Sequence, residues 1–368
     1  MKQLLSFIRK EFRHIFRDKT TVLILLLMPV IQIILFGFAM STEVKNTKVV
    51  VLANQADEVT RQLIERIDAS QYFEIAVIAH NSGDVDNAFR DGTAKLAIIF
   101  ENGFSKKLTH DGKAHIQLIA DATDPNAATS FVFYAGNIIN SYQQELMPVQ
   151  SAAGMIQPEV KMLYNPQMIS AYNFVPGVLG MIMLLICAMM TSIAIVREKE
   201  MGTMEILLVS PMKPIYTMLS KIAPYFVLSV INFATIMLLS VYVLHVPVSG
   251  SFISLVLVSL LYIFVSLALG LLISTITSTQ LAAMFISGMG LMLPVMLLSG
   301  MIFPIENMPG ILRFISNFVP ARWYIDAVKT IMIKGLSITE VGTDVAVLSA
   351  MAVLLVIASV KKFKVRLE

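Results

Sequence analysis

Long apolar runs recur along this chain, at Val22–Met40, Phe174–Val196, Ile222–His245, Phe252–Ile276, Leu281–Phe303 and Val345–Val360. At 1.5 Å of rise per residue, about 20 helical residues cross the roughly 30 Å hydrocarbon core of a bilayer. The runs hold almost no ionisable side chains. Charged residues make up 14% of the whole chain, against about 25% in soluble domains. The sequence therefore predicts an α-helical membrane protein with six transmembrane helices. Pro29 and Gln32 lie inside the first run. Proline is tolerated there when a neighbour satisfies the carbonyl it frees, and Gln32 is placed to bond another helix. Ala39-Met40-Ser41 loosely resembles a signal-peptide cleavage site, but the basic leader and apolar run are too long, which favours an uncleaved span over residues 21–40.

Between the first two runs the character changes. Residues 41–171 regain charge and alternate short β-branched runs with helical patterns. Strands are expected at Lys48–Ala53, Phe73–Ile78, Leu96–Phe100 and Ile116–Ile119. Helices are expected at Glu58–Ile67, at Val85–Arg90 with Ser82 or Asp84 as cap, and at Asn126–Leu146. This reads as an inserted α/β domain large enough to form its own core. The lone Cys187 excludes an intrachain disulfide, so the domain must hold together by burial. His80, His110 and His115 lack metal-ligand spacing and read as surface histidines, and Asp121, Asp124 and Pro125 as the turn into the long helix. No metal site is expected.

Residues 1–20 predict an amphipathic helix at the membrane surface, with Leu5, Ile8, Phe12, Ile15 and Phe16 on one face and Lys2, Arg9, Lys10, Arg13 and Arg17 elsewhere. Its basic residues keep the N-terminus in the cytoplasm. Six crossings then put residues 41–171 outside, return Arg197, Lys199 and Lys213 inside, and leave the basic C-terminus in the cytoplasm. A stretch of about 304–343 must lie outside despite Arg313, Arg322, Lys329 and Lys334. Ile311, Leu312, Phe314, Ile315, Phe318 and Val319 make it too apolar for a free loop, so it is expected to form one or two short helices re-entering the outer leaflet.

The stretch Val196–Pro214 is short, charged and internally amphipathic. Gly202 can end the preceding helix and Thr203 can cap a new one. Met204, Leu207 and Leu208 share helical spacing, and Pro211 and Pro214 stop the helix. Composition alone leaves two readings open, an interfacial helix without a partner or one offered to a protein on that side. Arg197-Glu198-Lys199-Glu200, Gly202-Thr203, Glu205, Leu207-Leu208 and Ser210-Pro211 resemble the cytoplasmic loop of ABC-2 type transporter permeases. Leu298-Ser299-Gly300, Pro304-Ile305-Glu306-Asn307-Met308-Pro309, Pro320, Asp326, Lys329 and Lys334-Gly335 are similar to the end of that permease domain. The insertion after the first span matches the subgroup with a large extracytoplasmic domain.

The resemblance implies that residues of about 197–214 form a coupling helix seated on a separate ATPase subunit. It implies that residues 172–368 carry transmembrane helices 2–6, and that a second permease chain, like or unlike, completes the translocation path. It places the protein in a bacterial inner membrane among lipid, as the permease of an ATP-driven exporter. No G-x-x-x-x-G-K-[ST] loop occurs in the chain, so such a nucleotide site, with its ATP and magnesium, must lie on the partner. CxxC, HExxH and GxSxG are absent too, and no catalytic residue or cofactor is expected here. A net charge of +3 gives no reason to expect nucleic acid. The outer domain could dock a periplasmic adaptor. Met183, Met189, Met190, Met289 and Met292 read either as an adaptable lining or as core and lipid-facing methionines. Two other functions are weighed. An ion-coupled carrier working alone needs intramembrane acids or histidines, which are scarce. A membrane-anchored sensor or assembly scaffold would use residues 41–171 as its binding module.

Overall fold

The computed structural model describes residues 2–17, 19–39, 46–53, 57–123, 125–146, 163–165, 169–202 and 214–365. Met40, Ser41, Asp124 and Arg366 lie outside the described residues, as does the side chain of Leu5. The chain forms two compact units, Met1–Ser41 with Ile169–Glu368, and Thr42–Met168.

The first unit opens with α1 (Lys2–Arg17) and α2 (Lys19–Ala39). On α1, Glu11 and Ile15, one turn apart, are buried, whereas Phe16 is exposed. Pro29 of α2 lacks the N–H that would bond the Leu25 carbonyl one turn back. Asn232 reaches across and donates to that carbonyl at 3.2 Å.

The second unit carries β1 (Thr47–Leu52), α3 (Glu58–Asp68), β2 (Phe73–Ala79), α4 (Ser82–Arg90), β3 (Leu96–Phe100), α5 (Phe104–His110), β4 (Ile116–Ala120) and α6 (Pro125–Leu146). The sheet order is β2-β1-β3-β4, with β1 parallel to both neighbours and β4 antiparallel to β3. Successive side chains of β1 face opposite sides. Val49 and Val51 meet Leu63, Ile67, Phe131 and Tyr134 on one face, and Val50 and Leu52 meet Val85 and Ala88 on the other. Burial on both faces explains the uninterrupted apolar run of β1. The cap of α4 is Asn81, not Ser82 or Asp84; Asp84 is the reciprocal member of its capping box. Helix α5 was not expected from the sequence. His80, His110 and His115 are exposed. Among the described residues, no group of three or more His, Cys, Asp or Glu is placed to hold a metal ion.

The chain then returns to the first unit through α7 (Ala171–Glu200), α8 (Pro214–Tyr242) and α9 (Phe252–Ile276). Next come α10 (Gln280–Phe285), a π-helical turn Ile286–Gly290 and α11 (Leu291–Leu298), which together make one continuous apolar rod. A 3-10 turn Ile305–Asn307, α12 (Gly310–Ser316), α13 (Pro320–Val328), a π turn Lys329–Ile333 and α14 (Gly342–Val365) complete it. Among the described residues, five helical stretches are long and apolar enough to cross a membrane: Ala171–Glu200, Ser220–Tyr242, Phe252–Ile276, Gln280–Leu298 and Gly342–Lys362. α2 contributes a shorter apolar stretch, Leu25–Phe36.

Several boundaries differ from the sequence expectation. The second run continues as helix to Glu200, through its charged end. The third begins at Pro214 and ends at Tyr242, leaving His245 outside at φ +52°. The fifth stops at Leu298, before Gly300 at φ +78°. Gly288 and Gly290 lie in the π turn, six and four residues ahead of Pro294.

Helix α7 is the centre of this unit and is enclosed almost throughout. α9 packs on it closely at Gly270, where a Cβ would overlap the Ala188 carbonyl. Tyr262 of α9 and Tyr324 of α13 stack at 3.9 Å between centroids, fully buried. The Tyr262 hydroxyl donates to Gly180 O at 2.7 Å, and Tyr324 Oη lies 2.9 Å from Ser259 Oγ. Met183 and Met190 belong to this core, whereas Met289 and Met292 are exposed.

Candidate functional site

The charged tetrad at the end of α7 divides its work among three other helices. Lys221 on α8 is buried, its side chain 7% exposed, and its Nζ pairs with Glu198. The same Nζ lies 3.6 Å from Glu11 Oε1 on α1. Two carboxylates from α7 and α1 thus share one enclosed ammonium. Lys199 donates to the Ser274 carbonyl in the last turn of α9, and Glu200 accepts from Gln280 N at 3.3 Å and Gln280 Nε2 at 2.7 Å at the start of α10. A cation at a helix C-terminus and an anion at an N-terminus both oppose the local backbone partial charge. Arg197 is exposed, and its carbonyl accepts the Met201 N–H. Gly202, at φ +72°, takes the left-handed conformation that ends the helix.

Of the residues assigned to coupling, Arg197, Glu198, Glu200 and Gly202 are brought together here. Thr203, Glu205, Leu207, Leu208, Ser210 and Pro211 lie outside the described residues, in the segment 203–213 that joins Gly202 to α8. Sequence reasoning missed Glu11 and Lys221. The available signals were a lone acid in a basic helix and a lysine at the edge of an apolar run, but neither names its partner.

Asn173, near the other end of α7, lies roughly 37 Å from Glu198 by helical rise. There Pro304, Glu306 and Asp326 line a cavity of about 180 Å³ with Asn173, Ser299 and Lys329. Pro304, Asn307 and Pro309 line a separate apolar groove. Pro320 opens α13 at its first turn, where its missing N–H costs no helical bond. The basic residues here bond backbone carbonyls: Arg313 to Ile305 and Glu306, Arg322 to Arg313, and Lys329 to Gly300. Arg322 also donates to Ser316 Oγ at 2.6 Å and Asn317 Oδ1 at 2.7 Å. The apolar residues expected to need burial are mostly uncovered within the chain. Ile311, Leu312, Phe314, Ile315 and Phe318 are exposed, and Val319 alone of the six is buried.

These elements define a multi-pass helical membrane protein carrying a small α/β unit. The description "ABC-2 family transporter protein" matches residues 19–361. The chain is 30% identical over 362 residues to the Escherichia coli (strain K12) protein named "Probable multidrug ABC transporter permease YbhS", covering 98% of this chain and 96% of that one. It is 30% identical over 336 residues to "Probable multidrug ABC transporter permease YbhR" of the same organism, 91% of each chain. It is 21% identical to the "ABC transporter G family member 20" of Dictyostelium discoideum, covering 90% of this chain and 46% of that one. The chain belongs to the ABC-2 transporter family, and it is a permease, the membrane subunit of an ABC transporter.

Proposed function

We propose that this permease crosses a bacterial inner membrane six times, with both termini and residues 203–213 on the cytoplasmic side, and that it works as one of two permease chains driven by separate ATPase subunits. In this reading α2 is the first span, residues 42–168 stand outside, and residues 304–343 re-enter the outer leaflet. ATP and magnesium are held by the ATPase partners. The stretch of about 197–214 is the coupling segment, with Glu205, Leu207 and Leu208 against the ATPase.

The observation that carries this reading is the cluster of Glu11, Glu198 and Lys221. It joins α1, the end of α7 and the start of α8, the two helices that lead into and out of 203–213. A push on that segment is therefore delivered to the central helix rather than absorbed in a slack loop. The exposed apolar side chains of 311–318 support the re-entrant placement, since lipid or a second chain would cover them. The outward-facing stretch Gln280–Leu298, only 17% buried, supports a second chain beside α10 and α11. The names of the two E. coli relatives, each a "probable multidrug" permease, favour drugs as the transported class.

Co-purification tests the partnership. The chain should capture an ATPase encoded beside it and stimulate hydrolysis, and substitution of Glu205 and Leu207 by alanine should abolish the stimulation. Undiminished transport with both substitutions would overturn the assignment.

A further inference from the structure

The cavity near Asn173 and the adjoining groove have opposite chemistry along one short segment. The cavity wall carries Glu306, Asp326 and Lys329, with Ser299 and Gly300. Ser299 is 1% exposed, and its Oγ has no hydrogen-bond partner. Among the described residues, neither the Glu306 nor the Asp326 carboxylate has an ion-pair partner within 4.0 Å. Lys329 Nζ donates to Gly300 O at 3.3 Å and keeps two further N–H groups. Pro304 belongs to both the cavity and the groove. The groove, about 580 Å³, is lined by Leu293, Leu297, Phe303 and Leu312, all exposed.

We infer that the cavity and groove together hold one phospholipid with a primary-amine headgroup, phosphatidylethanolamine, its ammonium between Glu306 and Asp326, its phosphate toward Lys329 and an acyl chain along the groove. Charge complementarity selects this occupant. The wall presents two negative charges and one positive charge. A simple monocation would leave Lys329 repelling it, and a purely anionic head would face two carboxylates. A zwitterion with a donor-bearing ammonium meets all three, whereas a trimethylammonium head carries no N–H to give. The groove supplies the apolar half, and Ser299, whose buried hydroxyl has no partner, belongs to the headgroup wall. The inference goes beyond the transport reading but rests on its topology, which places residues 304–343 at the outer leaflet.

The test is native mass spectrometry of the full chain. Phosphatidylethanolamine, phosphatidylcholine and phosphatidylglycerol with identical acyl chains are offered at equal concentration. Hydrogen bonds to charged groups are worth enough for at least about a tenfold preference for the ethanolamine lipid. Glu306→Gln with Asp326→Asn should erase that preference. Headgroup-blind binding, or a preference that survives both substitutions, would overturn the proposal. The wild-type comparison needs no variant, so it decides the matter even if the double variant does not fold. ATPase stimulation is read in parallel. A chain that stimulates its ATPase yet binds all three lipids alike overturns the lipid site and leaves the transport reading standing. A chain that selects ethanolamine lipid but labels at Asn307→Cys only from the cytoplasmic side overturns the outer-leaflet placement.

Discussion

Lys221 shows how one side chain can hold several helices. Its ammonium is enclosed between Glu198 and Glu11, and losing it would remove the cation these two carboxylates share, leaving Glu11 its ion pair with the exposed Lys10 at 3.6 Å. Removing one partner of a buried ion pair costs about 3–5 kcal/mol, because the remaining charge stays uncompensated. Lys221→Met should lower stability by about that amount, read from the fluorescence of the single tryptophan, Trp323, during chemical unfolding in micelles. Lys221→Arg, which keeps the charge, should lose much less, and equal losses would mean that the pairing is not what matters. The sequence showed Glu198 as one of a charged tetrad but could not show its partner. Residues 11, 198 and 221 are far apart along the chain, and only the folded packing of α1, α7 and α8 brings them together. Pro29 and Asn232 teach the same lesson. The need for a donor at the Leu25 carbonyl was readable from Pro29, and the identity of the donor was not.

Helix ends were the least legible elements. Hydropathy ends the second span at Val196, where charges begin, but α7 continues to Glu200 because those charges are satisfied by α8, α9 and α10. The stop itself was legible in Gly202, whose positive φ requires a residue without a Cβ penalty. Close packing was less so. Gly270→Ala would push a Cβ into the Ala188 carbonyl, and overpacking of this kind costs about 1–3 kcal/mol. The Gly270→Ala thermal midpoint should fall well below that of Gly288→Ala, where an added Cβ meets nothing within 4 Å. Similar midpoints would show that α7 and α9 can separate freely.

In the α/β unit, Asp121 accepts from Lys95 Nζ at 2.5 Å and from Thr123, which holds its carboxyl down at about 2 against an ordinary 3.8. A depressed carboxyl contributes stability in full above about 3.8 and loses it as pH falls toward about 2. Asp121→Asn should therefore flatten the acid-side loss in that window and change nothing in its slope near neutrality. Unfolding curves collected across pH check this. The four strands of this unit were readable because β-branched runs and turn residues mark them locally. α5 was not, since Phe104–His110 is one short, polar helix with a single buried anchor, Phe104.

At the scale of the whole molecule, the alternation of long apolar runs with one polar insertion made the architecture legible. Which helix is central was not. α7 is enclosed while the rod from α10 to α11 and the helix α14 lie at the periphery, and hydropathy gives all of them the same signature. The positive-inside rule also met an apparent conflict at Arg313, Arg322 and Lys329. Their donation to backbone carbonyls gives these cations a local role that a charge count does not register.

Coupling to an ATPase requires that residues 203–213 face the cytoplasm and touch that subunit. Cys187 is buried, so a cysteine placed at Leu207 is the reactive one. In membrane vesicles of known orientation it should label only from the cytoplasmic face and cross-link to the ATPase subunit. Labelling from the opposite face, or a chain that moves substrate in vesicles containing no ATPase, would contradict that coupling.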